Sequence, residues 1–188
     1  MAETRVIAGT LRGRKLRTLA GDALRPTAAR ARSGLFDWLA PRLPGARVLD
    51  LFAGTGALGI EALSRGAREG VFVERSARSL AVLHRNLNAL DLAASTRVVR
   101  GDCARALPRE SGHFDVILAD PPYAGAARAE LLASEALADR VAPGGVLVVE
   151  RSRRADVLPP PPGLEPGGSR TYGETVFDWY RKSEDSEG

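Results

Sequence analysis

The sequence predicts a doubly wound α/β fold with a mostly parallel sheet, and three observations carry that prediction. Short apolar runs alternate with longer segments of helical periodicity from Arg47 to Glu150. Breakers bound and separate them, among them Pro41 and Pro44 ahead of the first run, Gly66 and Pro143-Gly144-Gly145. A glycine turn, Gly54-Thr55-Gly56, comes just after the first apolar run. Strand and helix in alternation imply parallel strands joined by right-handed crossovers. Ligands in such a sheet bind beyond the carboxyl ends of the strands.

Each element follows in chain order. Arg5-Val6-Ile7-Ala8-Gly9 and Lys15-Leu16-Arg17-Thr18-Leu19 flank Gly13 and read as two short strands around a basic turn. They form an N-terminal arm over 1–24, ahead of a main domain over 25–182 and a charged tail over 183–188. Pro26 suits the first turn of a helix. Arg30, Arg32, Leu35, Phe36, Trp38 and Leu39 then fall at spacings that give one basic and one apolar face. Pro41 and Pro44 end that helix. The pattern next predicts a strand over 47–51, a helix over 57–65, a strand over 70–74 and a helix over 77–90. Strands are expected over 96–100 and 115–119, and one helix over 126–141, stopped by Pro143-Gly144-Gly145. A buried strand over 146–150 follows. Pro159 to Pro162 cannot lie inside a sheet and reads as a loop. The alternation over 175–180 predicts a last strand, antiparallel, at the end of the sheet.

At 188 residues the chain fits one domain, and its 44% hydrophobic content suits a packed core rather than disorder. Net charge is +4 and nearly all of the positive charge is arginine, since Lys15 and Lys182 are the only lysines. Arginine suits phosphate recognition through its planar fork. A single cysteine, Cys103, excludes an internal disulfide framework and points to a reducing compartment. Two histidines, His84 and His113, with no paired cysteines argue against a zinc site, so no metal is expected. No apolar run is long enough to span a bilayer, and Met1-Ala2-Glu3-Thr4-Arg5 opens no signal-peptide core. A soluble, cytoplasmic protein that acts as a monomer is the expectation.

Two motifs carry chemistry. The first is Asp50-Leu51-Phe52-Ala53-Gly54-Thr55-Gly56. Gly54 and Gly56 let the backbone turn sharply and a ligand approach closely, with Phe52 and Ala53 in the same loop. Gly54-Thr55-Gly56-Ala57-Leu58-Gly59 also satisfies the dinucleotide fingerprint, with Glu74 where a ribose-binding acid falls, so a nicotinamide-dependent dehydrogenase is one reading. Two residues after the strand, the turn starts late for that fingerprint. Asp50 is awkward beside a pyrophosphate and suits the ammonium of a methionine moiety. The cofactor implied is S-adenosylmethionine (SAM). Glu74 is placed to take both ribose hydroxyls. Asp102 is placed to accept from an adenine amino group while the Cys103 N–H donates to the ring. Cys103 itself reads as a small buried residue rather than a nucleophile.

The second motif is Asp120-Pro121-Pro122-Tyr123. An amine on a nucleobase is a poor nucleophile because its lone pair is delocalised into the ring. The Asp120 carboxylate and the Pro121 carbonyl, ahead of a residue with no N–H to offer, supply two acceptors for its two hydrogens. Tyr123 supplies a stacking face. A paired base must be flipped to reach such a pocket. The basic arm, with Arg5, Arg12, Arg14, Lys15 and Arg17, and the following Arg25, Arg30 and Arg32, would hold the surrounding phosphates.

Taken together these residues resemble class I SAM-dependent methyltransferases, and the order of motifs is similar to the bacterial 16S rRNA guanine-N2 methyltransferase family, RsmD. The resemblance runs from about Arg5 to Arg181. It rests on Arg5-Val6-Ile7-Ala8-Gly9, Arg12-Gly13-Arg14-Lys15-Leu16, Arg25-Pro26-Thr27, Arg30-Ala31-Arg32, Leu35-Phe36-Asp37-Trp38-Leu39, the two motifs above and Tyr172-Gly173-Glu174-Thr175. It implies a seven-stranded sheet with a short N-terminal hairpin, a flipped guanine as acceptor, and small-subunit rRNA in an assembling subunit as substrate. It also implies Thr27 as a hydrogen-bond partner near the methionine end of the cofactor. Ser33-Gly34 departs from the family pattern, where an acidic and a bulkier residue are usual. The loop from Pro159 to Gly168 is unusually rich in proline and glycine. A DNA or RNA adenine-N6 methyltransferase and a catalytically silent RNA-binding assembly factor are the alternatives.

Overall fold

The computed structural model describes residues 2–19, 26–107, 112–122 and 126–184, with the side chains at 2, 26–28, 104 and 105 outside the description. Arg25, Tyr123 and the Thr27 side chain therefore lie outside the described residues.

The chain opens with β1 (Ala2–Arg5) and β2 (Lys15–Thr18), an antiparallel pair that forms its own two-stranded sheet. The main domain follows as α1 (Pro26–Leu39), β3 (Arg47–Leu51), α2 (Ala57–Ser64), β4 (Glu69–Glu74), α3 (Ala77–Ala89) and β5 (Thr96–Arg100). It continues with α4 (Cys103–Ala106), β6 (Phe114–Ala119), α5 (Ala127–Leu132), α6 (Glu135–Arg140), β7 (Val141–Ser152), β8 (Glu165–Tyr172) and β9 (Thr175–Arg181). Seven strands form one sheet in the order β5-β4-β3-β6-β7-β9-β8. The five from β5 to β7 are parallel, and β9 and β8 add antiparallel. The order reverses at β3–β6, the crevice where a doubly wound sheet takes its ligand.

The strands buried on both faces are the apolar runs the sequence displays. Val71, Phe72 and Val73 of β4 and Val116, Ile117 and Leu118 of β6 are all at most 1% exposed. Helix α1 buries Leu35, Phe36 and Leu39 against Val48, Val116 and Val148 on one face of the sheet. Leu131 and Leu137 of α5 and α6 pack with Leu49, Ile117 and Leu147 in a separate cluster. Each such side chain contributes about 1.5–3 kcal/mol.

Five expectations need correction. The first strand runs over Ala2–Arg5, not 5–9, because the Ile7 and Ala8 N–H groups are taken by the Glu61 carboxylate at 2.8 and 3.0 Å instead of by a ladder. The helix expected over 126–141 is two short helices interrupted at Ala133 and Ser134. Val141 already belongs to β7: it pairs with Phe114, Val146 pairs with Val116, and Pro143-Gly144-Gly145 loops out between those pairs. The last strand, β9, lies inside the sheet, since β8 covers its other side. The loop at 159–162 stands as expected, but it does not run on to Gly168: Glu165 already begins β8, which pairs with β9.

The arm is docked rather than free. Val6 and Leu16 are buried with Ile60, Phe72 and Leu83. Buried Glu61 also accepts from Arg65 Nε at 2.9 Å, and Ser64 Oγ donates to the Ala8 carbonyl at 2.5 Å while accepting from the Leu11 N–H at 3.0 Å. Among the described residues no helix is long and apolar enough to cross a membrane.

Candidate active site at the strand ends

The turn after β3 is held from three sides. Ala53 N donates to the Val73 carbonyl at 3.0 Å and Gly56 N to the Ala53 carbonyl at 2.8 Å. Gly54 N donates to Glu74 Oε2 at 2.8 Å. Gly56 has φ 88° and serves as the N-cap of α2. A side chain there would strain the left-handed backbone and run into Leu83, so only glycine fits. Glycine brings no capping oxygen, and Asp50 from β3 replaces it: Asp50 Oδ2 accepts from Gly59 N at 2.8 Å, in the first turn of α2. Asp50 is 2% exposed, and burial raises its carboxyl, against the Gly59 hydrogen bond, to about 7. Its carboxylate thus points into the fold rather than into the cleft, and it acts by fixing the loop.

Glu74, the last residue of β4, ties the neighbouring turns together. Its second oxygen accepts from Ser76 N at 2.7 Å, and its backbone carbonyl accepts from Gly101 N at 3.0 Å. Each carboxylate oxygen keeps a further lone pair for a hydroxyl donor.

A cleft of about 230 Å³ opens at this point. Phe52, Glu74, Asp102, Cys103, Asp120 and Pro122 line it. The two motifs, far apart in sequence, share one site because β3 and β6 are parallel neighbours and both end there. Burial pushes the Cys103 thiol up to about 12, so it stays protonated and apolar, as its sequence context suggests. Pro121 is buried and faces a second cleft. Sequence reasoning missed Val73, Arg75 and Gly101, which also line the first cleft. The strand-end rule that found Glu74 and Asp102 reaches each of them one residue away.

The donor set fits SAM. A strand-end carboxylate suits the ribose diol, an exposed Asp102 suits an adenine amine, and Phe52 and Cys103 supply an apolar wall for the ring. Ala53, Gly54 and Gly56 act through the loop backbone. The described residues hold no cluster of three or more metal-ligating side chains.

The basic residues divide. Arg12, Arg14, Lys15, Arg17 and Arg30 are exposed. Arg5 donates to the Gly13 carbonyl at 2.8 Å, Arg14 to the Ala89 carbonyl at 2.7 Å, and Lys15 pairs with Glu3 at 2.9 Å. Arg32 does not join that surface. It is 5% exposed and donates to the Arg5 carbonyl at 2.7 Å and to Thr4 Oγ1 at 3.2 Å, so it fastens α1 to β1 instead of reaching phosphate.

Known proteins share this architecture. The chain is 37% identical over 182 residues to the Bacillus subtilis (strain 168) protein YlbH, covering 95% of this chain and 98% of that one. It is 40% identical over 124 residues to ribosomal RNA small subunit methyltransferase D of Haemophilus influenzae, a match that spans 64% of each chain. Among solved structures, Escherichia coli yhhF superposes with a TM-score of 0.85 at 32% identity, over 98% of this chain and 100% of that one. The Thermus thermophilus 16S rRNA N2 G1207 methyltransferase RsmC, in complex with AdoMet and guanosine, gives a TM-score of 0.73 at 25% identity, over 96% of this chain and 49% of that one. The architecture is that of the class I methyltransferases. With a family model matching residues 4–181, the chain belongs to the family described as Conserved hypothetical protein 95, the RsmD family.

Proposed function

We propose that this chain is a SAM-dependent methyltransferase that modifies the exocyclic N2 of a guanine in small-subunit rRNA. The observation that carries the reading is the shared cleft, in which Glu74 and Asp102 at the ends of β4 and β5 face Asp120 and Pro122 after β6. Relatives are named for methylation of small-subunit rRNA.

In this reading Glu74 holds the ribose and Asp102 the adenine of the cofactor, with the loop from Phe52 to Gly56 against its methionine end. Bound there, SAM supplies a sulfonium methyl: the N2–C bond forms as the C–S bond breaks, leaving a thioether and releasing one proton from N2. The chain's own part is positioning. The Asp120 carboxylate and the Pro121 carbonyl accept the two N2 hydrogens, which draws the nitrogen out of conjugation and aims its lone pair. Tyr123 takes the stacking role its motif implies. Asp120 or water takes the surplus proton. Preorganised acceptors of this kind supply most of the rate in such a transfer. The exposed arginines of the arm hold phosphates around the flipped base, on rRNA of an assembling subunit, with the enzyme acting as a monomer and without a metal.

The test is transfer of labelled methyl to small-subunit rRNA, naked and in particles, from cells that lack the gene. N2-methylguanosine is the expected product. Label on adenine N6 or on DNA would replace this reading with its enzymatic rival. SAM affinity without turnover on any RNA would identify a silent assembly factor.

A further inference from the structure

The Asp120–Pro122 turn separates two clefts. Pro122 lines the cofactor cleft on one side and a second cleft, of about 180 Å³, on the other. Pro121, Arg128, Glu150, Asp156 and Leu158 also line the second. Glu150 of β7 is its half-buried carboxylate. The strand register explains its place. Ala119 of β6 pairs with Val149 of β7, so Asp120 and Glu150 each follow the last paired residue on adjacent parallel strands. Neighbouring strands lie about 4.8 Å apart, so the two carboxylates start side by side, and they line the clefts on either side of the turn.

The wall behind Glu150 is rigid. Arg151 donates to Asp178 at 2.6 Å and to the Ala155 carbonyl at 3.3 Å, and Ser169 Oγ donates to Asp178 at 2.6 Å. Arg128 donates to the Asp156 carbonyl at 2.7 Å across the cleft's outer side.

We propose that the second cleft receives the flipped base and that Glu150 selects guanine by accepting its N1–H. The inference rests on the guanine-N2 reading above and names the residue that enforces it. A guanine whose N2 hydrogens engage Asp120 and Pro121 carries its N1–H on the atom next to that amine. A carboxylate beside the turn meets this donor. Adenine presents a lone pair at N1, which a carboxylate repels. Asp120 and Pro121 alone grip any exocyclic amine, so the base choice needs a further group, and Glu150 supplies it.

The experiment compares guanine with 2-aminopurine at the mapped methylation position of a ligated small-subunit rRNA. 2-Aminopurine keeps the C2 amine and replaces the N1–H by a lone pair. The wild-type chain prefers guanine by roughly 10- to 100-fold in kcat/KM, the range for a hydrogen bond to a charged group. Glu150→Gln, whose carboxamide donates to N1, cuts that preference about tenfold or more and leaves SAM affinity unchanged. A structural role for Glu150 would lower both substrates equally, and an unchanged preference in the variant overturns the assignment. Should Glu150→Gln fail to fold, Glu150→Asp gives the second comparison. A wild-type enzyme that accepts both bases equally overturns it without any variant. Absence of transfer to guanine in the wild type would remove the functional reading itself, an outcome distinct from either.

Discussion

Asn86 donates to the Thr55 carbonyl at 2.9 Å from the same amide nitrogen that reaches the Arg17 carbonyl at 3.0 Å. Its Oδ1 completes the set by accepting from the Arg17 N–H at 2.9 Å. One side chain, 2% exposed, therefore joins the basic hairpin to the glycine loop. Replacing it leaves the buried Thr55 carbonyl without this partner, at a cost of about 1–3 kcal/mol, and two part-buried Arg17 backbone groups that water can partly satisfy. Asn86→Leu is expected to destabilise the chain by roughly 2–4 kcal/mol and to expose the Arg17 amide. Urea unfolding measures the first and hydrogen exchange the second. Unchanged exchange at Arg17 would show that the hairpin holds its place without this link.

The parts of the fold read most directly from sequence are those where one signal dominates. β3, β4, β6 and the 146–149 stretch of β7 are buried on both faces and read as near-continuous apolar runs. β8 was invisible in Glu165-Pro166-Gly167-Gly168-Ser169 because the strand is mostly exposed and shows no alternation. Its glycines have a tertiary reason: a Cβ at Gly167 would enter the Trp179 ring. Asp50 and Glu74 were both visible as strand-end carboxylates, but their directions were not. Which carboxylate faces the cleft depends on the cap that Gly56 cannot supply, a matter of packing rather than spacing. Arg32 misled for the same reason. A basic residue at a surface spacing becomes an internal tie once the hairpin folds over it.

Asp120→Ala removes an acceptor for the amine while leaving Glu74, Asp102 and the glycine loop in place. Methyl transfer to rRNA is expected to fall by about 10²- to 10⁴-fold in kcat. SAM affinity, read by isothermal titration, stays within a few-fold. Retained turnover would take Asp120 out of the chemistry.

Arg12 and Arg14 are exposed on the hairpin turn, and the Glu3 pairing of Lys15 leaves them as the less compensated charges. Charge reversal at both is expected to weaken rRNA binding without changing SAM affinity. Alanine at both lowers the slope of log affinity against log salt by roughly 0.7–0.9 per lost phosphate contact. An unaltered slope would place the RNA elsewhere on the surface.

Gly34 of α1 packs directly against Tyr172. A Cβ at position 34 of α1 would overlap the Tyr172 ring, which packs with Phe177 at a centroid separation of 6.1 Å. Gly34→Ala gains helix propensity but forces the ring aside, for a net loss of about 1–3 kcal/mol. Tyr172→Ala makes room, so the double variant loses less than the two single changes summed. Additive losses in a thermal or urea double-mutant cycle would show that the ring moves freely.

Burial of Asp50 gives the fold a pH dependence of unusual sign for a carboxylate. Its ordinary pKa of 3.8 rises to about 7 in the folded chain, with desolvation outweighing the Gly59 hydrogen bond and Glu74 adding repulsion. Between those two values the folded chain holds a proton that the unfolded chain has released. The stabilisation from that proton is therefore complete below the unfolded pKa and is lost as pH rises through about 7. Its size is on the order of a few kcal/mol. Asp50→Asn keeps an oxygen for the Gly59 N–H and removes the titration. Urea unfolding at about pH 5 and about pH 8 is expected to show the wild type losing stability across that interval and the variant losing less. Equal slopes in the two proteins would mean that Asp50 stays ionised in the fold, with a counter-charge supplied by other groups.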